Sequence, residues 1–361
     1  MRLFKTLDKY LLGETVVPLI VGILGFVVIV LGDELYRYIG IILDRRVPLP
    51  EVIAYLVFHL PAVVVITLPV SVALGCSVAL SRLNKDNELV PIYMTGVAKA
   101  RLLLPFLLLG LLMSGVTFAV SEMVVPPAAT VTRDILAKML SKQPTLLPKG
   151  GTFVRGRGPQ ASDWYFRIQS EDRKTNALLH VLIYQIRRGG LPVIYTAESA
   201  TLKDNLWTLR GARAFQITRS GEMIAVDSQQ MSLDLREMIR AAAGSPSPDE
   251  MPLAELRQEI ARRRETKIPS LSLEIDLQEK IAIPMACLFF VIIACPLSVH
   301  FRAPSELQGV LFTIGLVGVY YILLLAAKTV ALQLSIPAIP SAWMANGLFL
   351  LAGSFLLWRK W

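Results

Sequence analysis

The most regular feature of this chain is a set of long uncharged stretches separated by shorter charged segments. A helix needs about 20 apolar residues to cross the roughly 30 Å hydrocarbon core of a bilayer. Six stretches come close to or exceed that length, and a single charge, Glu14, interrupts the first; they are residues 11–31, 52–80, 102–121, 281–299, 307–327 and 336–358. The pattern therefore predicts six transmembrane helices.

The composition agrees with a membrane protein. Of the 361 residues, 54% are hydrophobic and 18% are charged, and the mean hydropathy is +0.54. A soluble domain usually holds about 25% charged residues, so this chain is too apolar for that class. We conclude that it is a polytopic membrane protein.

A polar region with a different pattern, residues 122–273, lies between the third and fourth predicted spans. After Pro126 and Pro127, a short helical stretch reaches about Lys142, and brief alternating segments follow. The predicted strands are residues 151–155, 164–170, 178–187, 193–200, 206–210, 212–218, 223–227 and 230–234. Short strands separated by turn residues are typical of an antiparallel sandwich or roll. A filled sandwich and an open groove both fit this pattern.

The end of the polar region leads back to the membrane. Residues 244–252 have the composition of a linker, and residues 253–266 form a predicted polar helix. Three adjacent arginines, Arg262, Arg263 and Arg264, lie within that helix. A solvated helix face is the simpler interpretation, and a contact with anionic lipid headgroups is the alternative.

The basic residues near the span ends predict the orientation, because Lys and Arg accumulate in cytoplasmic loops. The side that holds both termini carries ten such residues: Arg2, Lys5, Lys9, Arg82, Lys85, Lys99, Arg101, Arg302, Arg359 and Lys360. The short loops on the opposite side carry three: Arg37, Arg45 and Arg46. We therefore expect cytoplasmic termini and an external polar region. The net charge of +9 is partly this signal and does not indicate nucleic acid.

Residues with catalytic chemistry are sparse. The sequence holds no phosphate-binding loop of the G-x-x-x-x-G-K-[ST] type, so we do not expect it to hydrolyse ATP by that route. Its three histidines fall in different compartments, and its three cysteines fall inside predicted spans. No pair of carboxylates lies within a predicted span, which disfavours an intramembrane proton relay. We expect no metal and no cofactor, and a protein that binds or moves something with energy supplied elsewhere.

The connection between the second and third spans is longer than a simple turn. It reads "SRLNKDNELVPIYMTG" from Ser81. An apolar stripe lies at helical spacing within it, formed by Leu89, Ile92, Tyr93 and Val97. Proline is tolerated in the first turn of a helix, so Pro91 predicts a helix that begins at about residues 87–88 or is kinked. The alternatives are a helix that docks on a partner and a helix solvated or lying on the lipid surface.

Several segments resemble the LptF/LptG (YjgP/YjgQ) family of lipopolysaccharide export permeases. They include "RLFKTLDKYLL" at the start, "SRLNKDNELVPIYMTGV" after the second span, "DNLWTLRGARAF" among the strands and "EKIAIPMACLFFVIIACPLSV" in the fourth span. The second is the most specific. Its pattern of basic, acidic, apolar and glycine positions is filled by Arg82, Leu83, Asp86, Glu88 and Gly96. The resemblance covers nearly the whole chain.

This resemblance implies a permease subunit of an ABC-type exporter in the bacterial inner membrane. The implied partners are a cytoplasmic ABC ATPase dimer, a second permease of the same type or a second copy, a periplasmic β-jellyroll bridge protein, and lipopolysaccharide or a related glycolipid. Residues 81–97 would be the coupling helix that docks on the ATPase. Its implied coupling residues are Arg82, Asp86, Glu88, Tyr93 and Gly96. The strands would form a periplasmic jellyroll.

A second candidate site is a ring of cations on the external side. Arg37, Arg45 and Arg46 follow the first span, and Lys328 lies late in the fifth. The family resemblance implies that these two spans border a lateral opening for lipid, where cations would bind lipid phosphates. The alternative for Lys328 is a lysine that snorkels to the headgroup layer.

The expected fold is thus an α-helical membrane protein with an inserted all-β domain. We expect residues 1–121 to hold three spans and the coupling helix, residues 122–273 the jellyroll, and residues 274–361 three further spans. A membrane anchor for an envelope bridge, without transport, is the rival function. A secondary transporter is disfavoured because the sequence shows neither a pair of acids within a span nor an internal repeat that relates its two halves.

Overall fold

The structure, a computed structural model, describes residues 2–45, 47–141, 154–158, 162–172, 177–187, 193–203, 206–217, 223–234, 247–265, 269–300 and 306–360. The chain forms two compact units. The first comprises Met1–Arg37, His59–Ala128 and Pro248–Trp361. The second comprises Tyr38–Phe58 and Ala129–Ser247.

The described helices follow the predicted order. They are α1 (Arg2–Arg45), α2 (Leu49–Lys85), α3 (Leu89–Met94), α4 (Lys99–Ala119), a π-helical segment (Val120–Val124), α5 (Val125–Ser141), a 3₁₀ turn (Pro248–Glu250), α6 (Leu253–Glu265), α7 (Leu271–His300), α8 (Glu306–Leu334) and α9 (Ala338–Lys360). Six candidate spans are found among the described helices, which confirms the predicted number.

The fourth span begins earlier than predicted. Helix α7 starts at Leu271 rather than at residue 281, and the candidate span runs Leu271–Val299. It therefore includes Asp276 and Glu279, which corrects the expectation that no pair of carboxylates lies within a span. The sequence rule placed the start of the span after these charges, whereas in the structure a lysine of α8 forms ion pairs with both carboxylates.

The third span continues well beyond its predicted end. The π-helical segment joins α4 to α5, and the N–H of Val125 bonds to the carbonyl of Val120, five residues earlier. Pro126 and Pro127 fall in the first turn of α5, where a missing N–H is tolerated. The predicted helical stretch to about Lys142 is confirmed, since α5 ends at Ser141.

Small residues let the helices of the first unit approach closely. The core of the bundle includes Leu11, Cys76, Phe106, Cys287 and Cys295, each with 0% of its surface exposed. All three cysteines are free and buried, as predicted. On α9, a Cβ added at Gly353 would lie 2.7 Å from the carbonyl oxygen of Ile292 on α7.

The β region has fewer and longer strands than predicted. The described strands are β1 (Val154–Gly158), β2 (Ser162–Asp172), β3 (Ala177–Arg187), β4 (Val193–Lys203), β5 (Leu206–Ile217) and β6 (Met223–Asp234). They pair antiparallel in the order β1-β2-β3-β4-β5-β6. The prediction of eight strands was wrong because it divided both β5 and β6. In the described residues the strands form one meander, and the jellyroll stays a prediction.

The false division of β5 has a physical cause. Gly211 in the middle of β5 has φ +62°, a left-handed conformation that departs from extended strand geometry. His180 of β3 has a similar φ of +54°. Leu209 and Ala212, three residues apart, are both buried, whereas regular alternation would bury residues two apart. The alternation is thus interrupted at Gly211 while the strand continues.

The second unit also contains a small helical cluster. Val52, Tyr55 and Met139 are buried there. The rings of Tyr38 and Tyr55 meet edge to face with centroids 5.3 Å apart. This cluster joins the end of α1, the start of α2 and the end of α5.

Helix α6 matches its predicted position. Leu256 and Ile260 are buried and pack with Leu273 of α7. Each arginine of the run has an acidic partner: Arg262 and Arg263 bind Glu259, at 2.6 and 2.9 Å, and Arg264 binds Glu274. The side chains of Arg262 and Arg264 are nevertheless exposed.

Candidate functional site

The connection between α2 and α4 is bounded by two left-handed residues. Asn87 has φ 57° and Gly96 has φ 78°. Asparagine tolerates this conformation and glycine adopts it without a steric cost. Helix α3 begins at Leu89, so Pro91 falls in its first turn. The prediction of a helix that starts near residue 88 is confirmed, and the conformation explains why glycine stands at position 96.

The apolar stripe of α3 faces the protein's own core. Leu89 is buried, and Ile92 and Tyr93 pack against the same cluster. Burial raises the pKa of Tyr93 above its usual value. The outward face instead presents Val90, 53% exposed, and Met94, 83% exposed. The sequence interpretation assigned the stripe to a partner; the structure leaves Val90 and Met94 available for one.

Glu88, the acidic residue at the start of α3, is bound within the chain. It accepts a hydrogen bond of 2.6 Å from the hydroxyl of Tyr10 on α1. Arg82, at the end of α2, forms an ion pair with Glu14 of α1 and lies 3.7 Å from Asp86. Three of the predicted coupling residues therefore belong to one polar cluster.

A third link joins the same region to α1. Arg101, in the first turn of α4, donates to Asp8 at 2.7 Å. Sequence reasoning missed Asp8, Tyr10 and Glu14. A signal was present for Glu14, because a lone acid within an apolar span is costly without a partner. The connection is thus attached to α1 at both of its ends and at Glu88.

Lys328 of α8 binds two carboxylates of α7. Its ammonium donates to Asp276 at 2.6 Å and to Glu279 at 2.7 Å. The side chains of Lys328, Asp276 and Glu279 are 29%, 9% and 6% exposed. Its charge is therefore shared by two acids, whereas the sequence interpretation treated it as an isolated cation. The sequence argument that no pair of acids lies within a span, which disfavoured a proton relay, therefore no longer holds.

A second buried charge lies one residue further along α7. The side chain of Lys280 is 2% exposed and its ammonium lies 3.7 Å from Glu122 of the π-helical segment. It also donates to the carbonyl of Met251. Burial, and secondly the Asp276 carboxylate, raise the pKa of Asp249. Glu122 in turn accepts the backbone N–H of Leu253, at 2.9 and 3.1 Å, and so caps α6.

The predicted cations after the first span are partly described. Arg37 is exposed and pairs with Asp33 at 2.6 Å, one turn earlier on α1. Arg45 ends α1, but its side chain lies outside the described part of the structure, as does Arg46. The grouping of these cations with Lys328 therefore stays a prediction.

Within the described ranges, no group of three His, Cys, Asp or Glu side chains has the arrangement of a metal site. Six apolar helices, a short helix between the second and third and an antiparallel sheet inserted between the third and fourth define a membrane protein.

Comparison with protein families identifies the chain. A family model described as "Lipopolysaccharide export system permease LptF/LptG" matches residues 9–359. The chain belongs to this family of transport permeases, as the sequence motifs predicted. A comparison with curated proteins finds no match.

Proposed function

We propose that this chain is the permease subunit of an ABC-type exporter. It extracts lipopolysaccharide, or a related large glycolipid, from the inner membrane and passes it to a periplasmic β-jellyroll bridge. ATP is hydrolysed by a separate cytoplasmic ATPase dimer. A second permease of the same family, or a second copy of this chain, completes the membrane part. Family membership supports the export of lipopolysaccharide.

The observation that carries the coupling role is the attachment of the α2–α4 connection to α1. An ATPase that binds the exposed face of α3 contacts Val90 and Met94, and the burial of these side chains favours docking. Glu88 then has two competing partners, the hydroxyl of Tyr10 and a basic group of the ATPase. A charged partner binds a carboxylate more strongly than a neutral hydroxyl does. Docking therefore releases Tyr10 and loosens α1.

The movement of α1 links ATP binding to lipid access. In this proposal α1 borders the lateral opening, and its inner end is held by Glu88, by Arg82 through Glu14 and by Arg101 through Asp8. Gly96 and Asn87 let the connection turn at both ends of α3. The other predicted coupling residues, Asp86 and Tyr93, act through Arg82 and through the core.

In this proposal the ring of lipid-binding cations has three members instead of the four that the sequence suggested. Arg37, which is exposed, and the two arginines that follow α1, Arg45 and Arg46, bind lipid phosphates on the external side. Lys328 is less suited to that role, because Asp276 and Glu279 give its surroundings a net negative charge. We assign it to holding α8 against α7.

The β-sheet delivers the lipid in this proposal. Its order leaves β1 and β6 as the edge strands of the described sheet, and exposed edges can pair with a strand of another protein. Val226 of β6 is 53% exposed. The proposal keeps the orientation expected from the basic residues, with cytoplasmic termini and a periplasmic sheet.

A pull-down with the purified ATPase tests the proposal. Met94→Asp and Glu88→Lys are expected to reduce ATPase recovery at least tenfold while the permease remains folded. Leu49→Asp, at the opposite end of α2, changes another exposed apolar side chain and serves as the matched control. Unchanged recovery for both α3 variants, or no recovery with the unaltered chain, favours the rival function of a membrane anchor without transport.

A further inference from the structure

A cleft outside the proposed coupling region lies where α6, α7 and α9 meet. It encloses about 460 Å³, within the roughly 300–1,000 Å³ typical of small-molecule sites. Arg257 and Arg264, seven residues apart on one face of α6, line one side. Leu277 and Gln278 of α7 and Ile339 of α9 line the other.

The cleft lies at headgroup depth. Helix α7 has 30 residues, or about 45 Å at 1.5 Å per residue, so it is longer than the roughly 30 Å hydrocarbon core. The charged residues of α7 lie in its first three turns. Charged side chains avoid the hydrocarbon core, so this end of the helix, which lines the cleft, carries the excess length and lies in the interfacial layer. Trp343 of α9 donates its indole N–H to Gln278 at 3.3 Å, and tryptophan is enriched at this depth.

The charges of the lining leave one cation unbalanced. Arg264 binds Glu274 at 2.9 Å, and Glu274 also accepts the hydroxyl of Ser270 at 2.6 Å. Arg257 has no carboxylate partner among the residues that the structure describes. Two arginines and one carboxylate give the lining a net charge of +1.

The cleft also has an apolar part, beside its positive charge. Ile339 is 63% exposed, and Leu277 is half-buried beside it. An arginine fork matches the oxygens of a phosphate, and an exposed aliphatic surface matches an acyl chain. A ligand with one negative charge on its polar end and a hydrocarbon tail suits both parts.

We propose that this cleft binds an anionic glycerophospholipid, with its phosphodiester at Arg257 and Arg264 and its acyl chain along Leu277 and Ile339. One phosphodiester balances the single unpaired positive charge. The bound lipid connects α6 to the start of α9. This site is independent of the coupling role of α3, because the cleft is built without any residue of α1 or α3.

Lipid binding by the detergent-purified full chain tests this site. Short-chain phosphatidylglycerol is titrated and the number of bound lipids is counted by native mass spectrometry. Phosphatidylcholine and inorganic phosphate are titrated in parallel. Arg257→Gln is expected to weaken phosphatidylglycerol binding about tenfold, since a hydrogen bond to a charged group is lost. Arg262→Gln, on the same helix but outside the cleft, is the matched control and is expected to bind normally.

The outcomes separate the possible ligands. Preference for phosphatidylglycerol over phosphatidylcholine, lost in Arg257→Gln and kept in Arg262→Gln, supports the proposal. Equal binding by both variants overturns it, as does equal binding of both lipids. Displacement of the lipid by millimolar inorganic phosphate overturns the acyl-chain part and assigns the cleft to a free anion. Thermal unfolding without lipid checks that Arg257→Gln folds as the unaltered chain does.

Discussion

The ammonium of Lys328 lies 2.6 Å from the nearer carboxylate oxygen of Asp276, on the neighbouring helix. Glu279 binds the same ammonium, so a single lysine of α8 serves two acids of α7. Removing one partner of a buried ion pair leaves the other charge uncompensated, which is more costly than never having had the pair. The charge balance between α7 and α8 therefore depends on one side chain, while Phe290 and Tyr320 add an apolar contact between the same helices.

Lys328→Met is expected to destabilise the protein by about 3 kcal/mol, because two mostly buried carboxylates lose their cation. Thermal unfolding in detergent, followed by circular dichroism, measures the effect. The compensated variant Lys328→Met with Asp276→Asn and Glu279→Gln removes all three charges and should recover most of the loss. If Lys328→Met unfolds at the temperature of the unaltered chain, the ion pairs do not hold the two helices.

Tyr10→Phe is expected to increase the affinity of the chain for the ATPase severalfold, because Glu88 is then no longer bound to a hydroxyl within the chain. Glu88→Gln should have the opposite effect, since the carboxylate itself is removed. Surface plasmon resonance with the purified ATPase distinguishes the two directions. Tyr36→Phe, at an exposed position of the same helix, is the control. Weaker ATPase binding by Tyr10→Phe contradicts competition for Glu88.

Glu122→Ala is expected to loosen α6. The carboxylate that accepts the N–H of Leu253 and lies beside Lys280 is removed, and a lost helix cap costs about 1 kcal/mol. Hydrogen exchange in residues 253–260 should therefore accelerate, while exchange in α4 stays unchanged. Uniform acceleration throughout the bundle points to general destabilisation instead of a lost cap.

Gly353→Ala is expected to destabilise the contact between α9 and α7 by about 1–3 kcal/mol through overpacking. The added methyl group would lie 2.7 Å from the carbonyl oxygen of Ile292, which is backbone and has little freedom to move. Gly347→Ala on the same helix meets no atom within 4 Å and is the matched control. Unfolding temperatures of the two variants give the comparison, and equal temperatures argue against a tight contact at Gly353.

Features that depend on neighbouring residues in the sequence were predictable. The number of spans follows from runs of uncharged residues, because the membrane selects for length and hydropathy. The start of α3 follows from Pro91, whose ring is compatible with the first helical turn. The motif residues around Glu88 also indicated the family, although not what Glu88 binds.

Features that join distant residues were decided by the tertiary structure. Lys328 and Asp276 are 52 residues apart in the chain, and Tyr10 and Glu88 are 78 apart. A hydropathy pattern counts each of these polar groups as unfavourable in an apolar segment. It contains no information about the distant residue with which the group pairs. For that reason the start of α7 was placed too late and Lys328 was taken for an isolated cation.

The same distinction explains the strands and the stripe of α3. Gly211 interrupts the local alternation, but β5 pairs with both β4 and β6 on either side of this residue, so the strand is continuous. The spacing of Leu89, Ile92 and Tyr93 predicted an amphipathic helix, and the packing of α1, α2 and α4 turned that face inward. Which segments are apolar follows from the residues of each segment alone. What each apolar or charged group faces depends on the tertiary structure, because burial and ion pairing involve residues that only folding brings together.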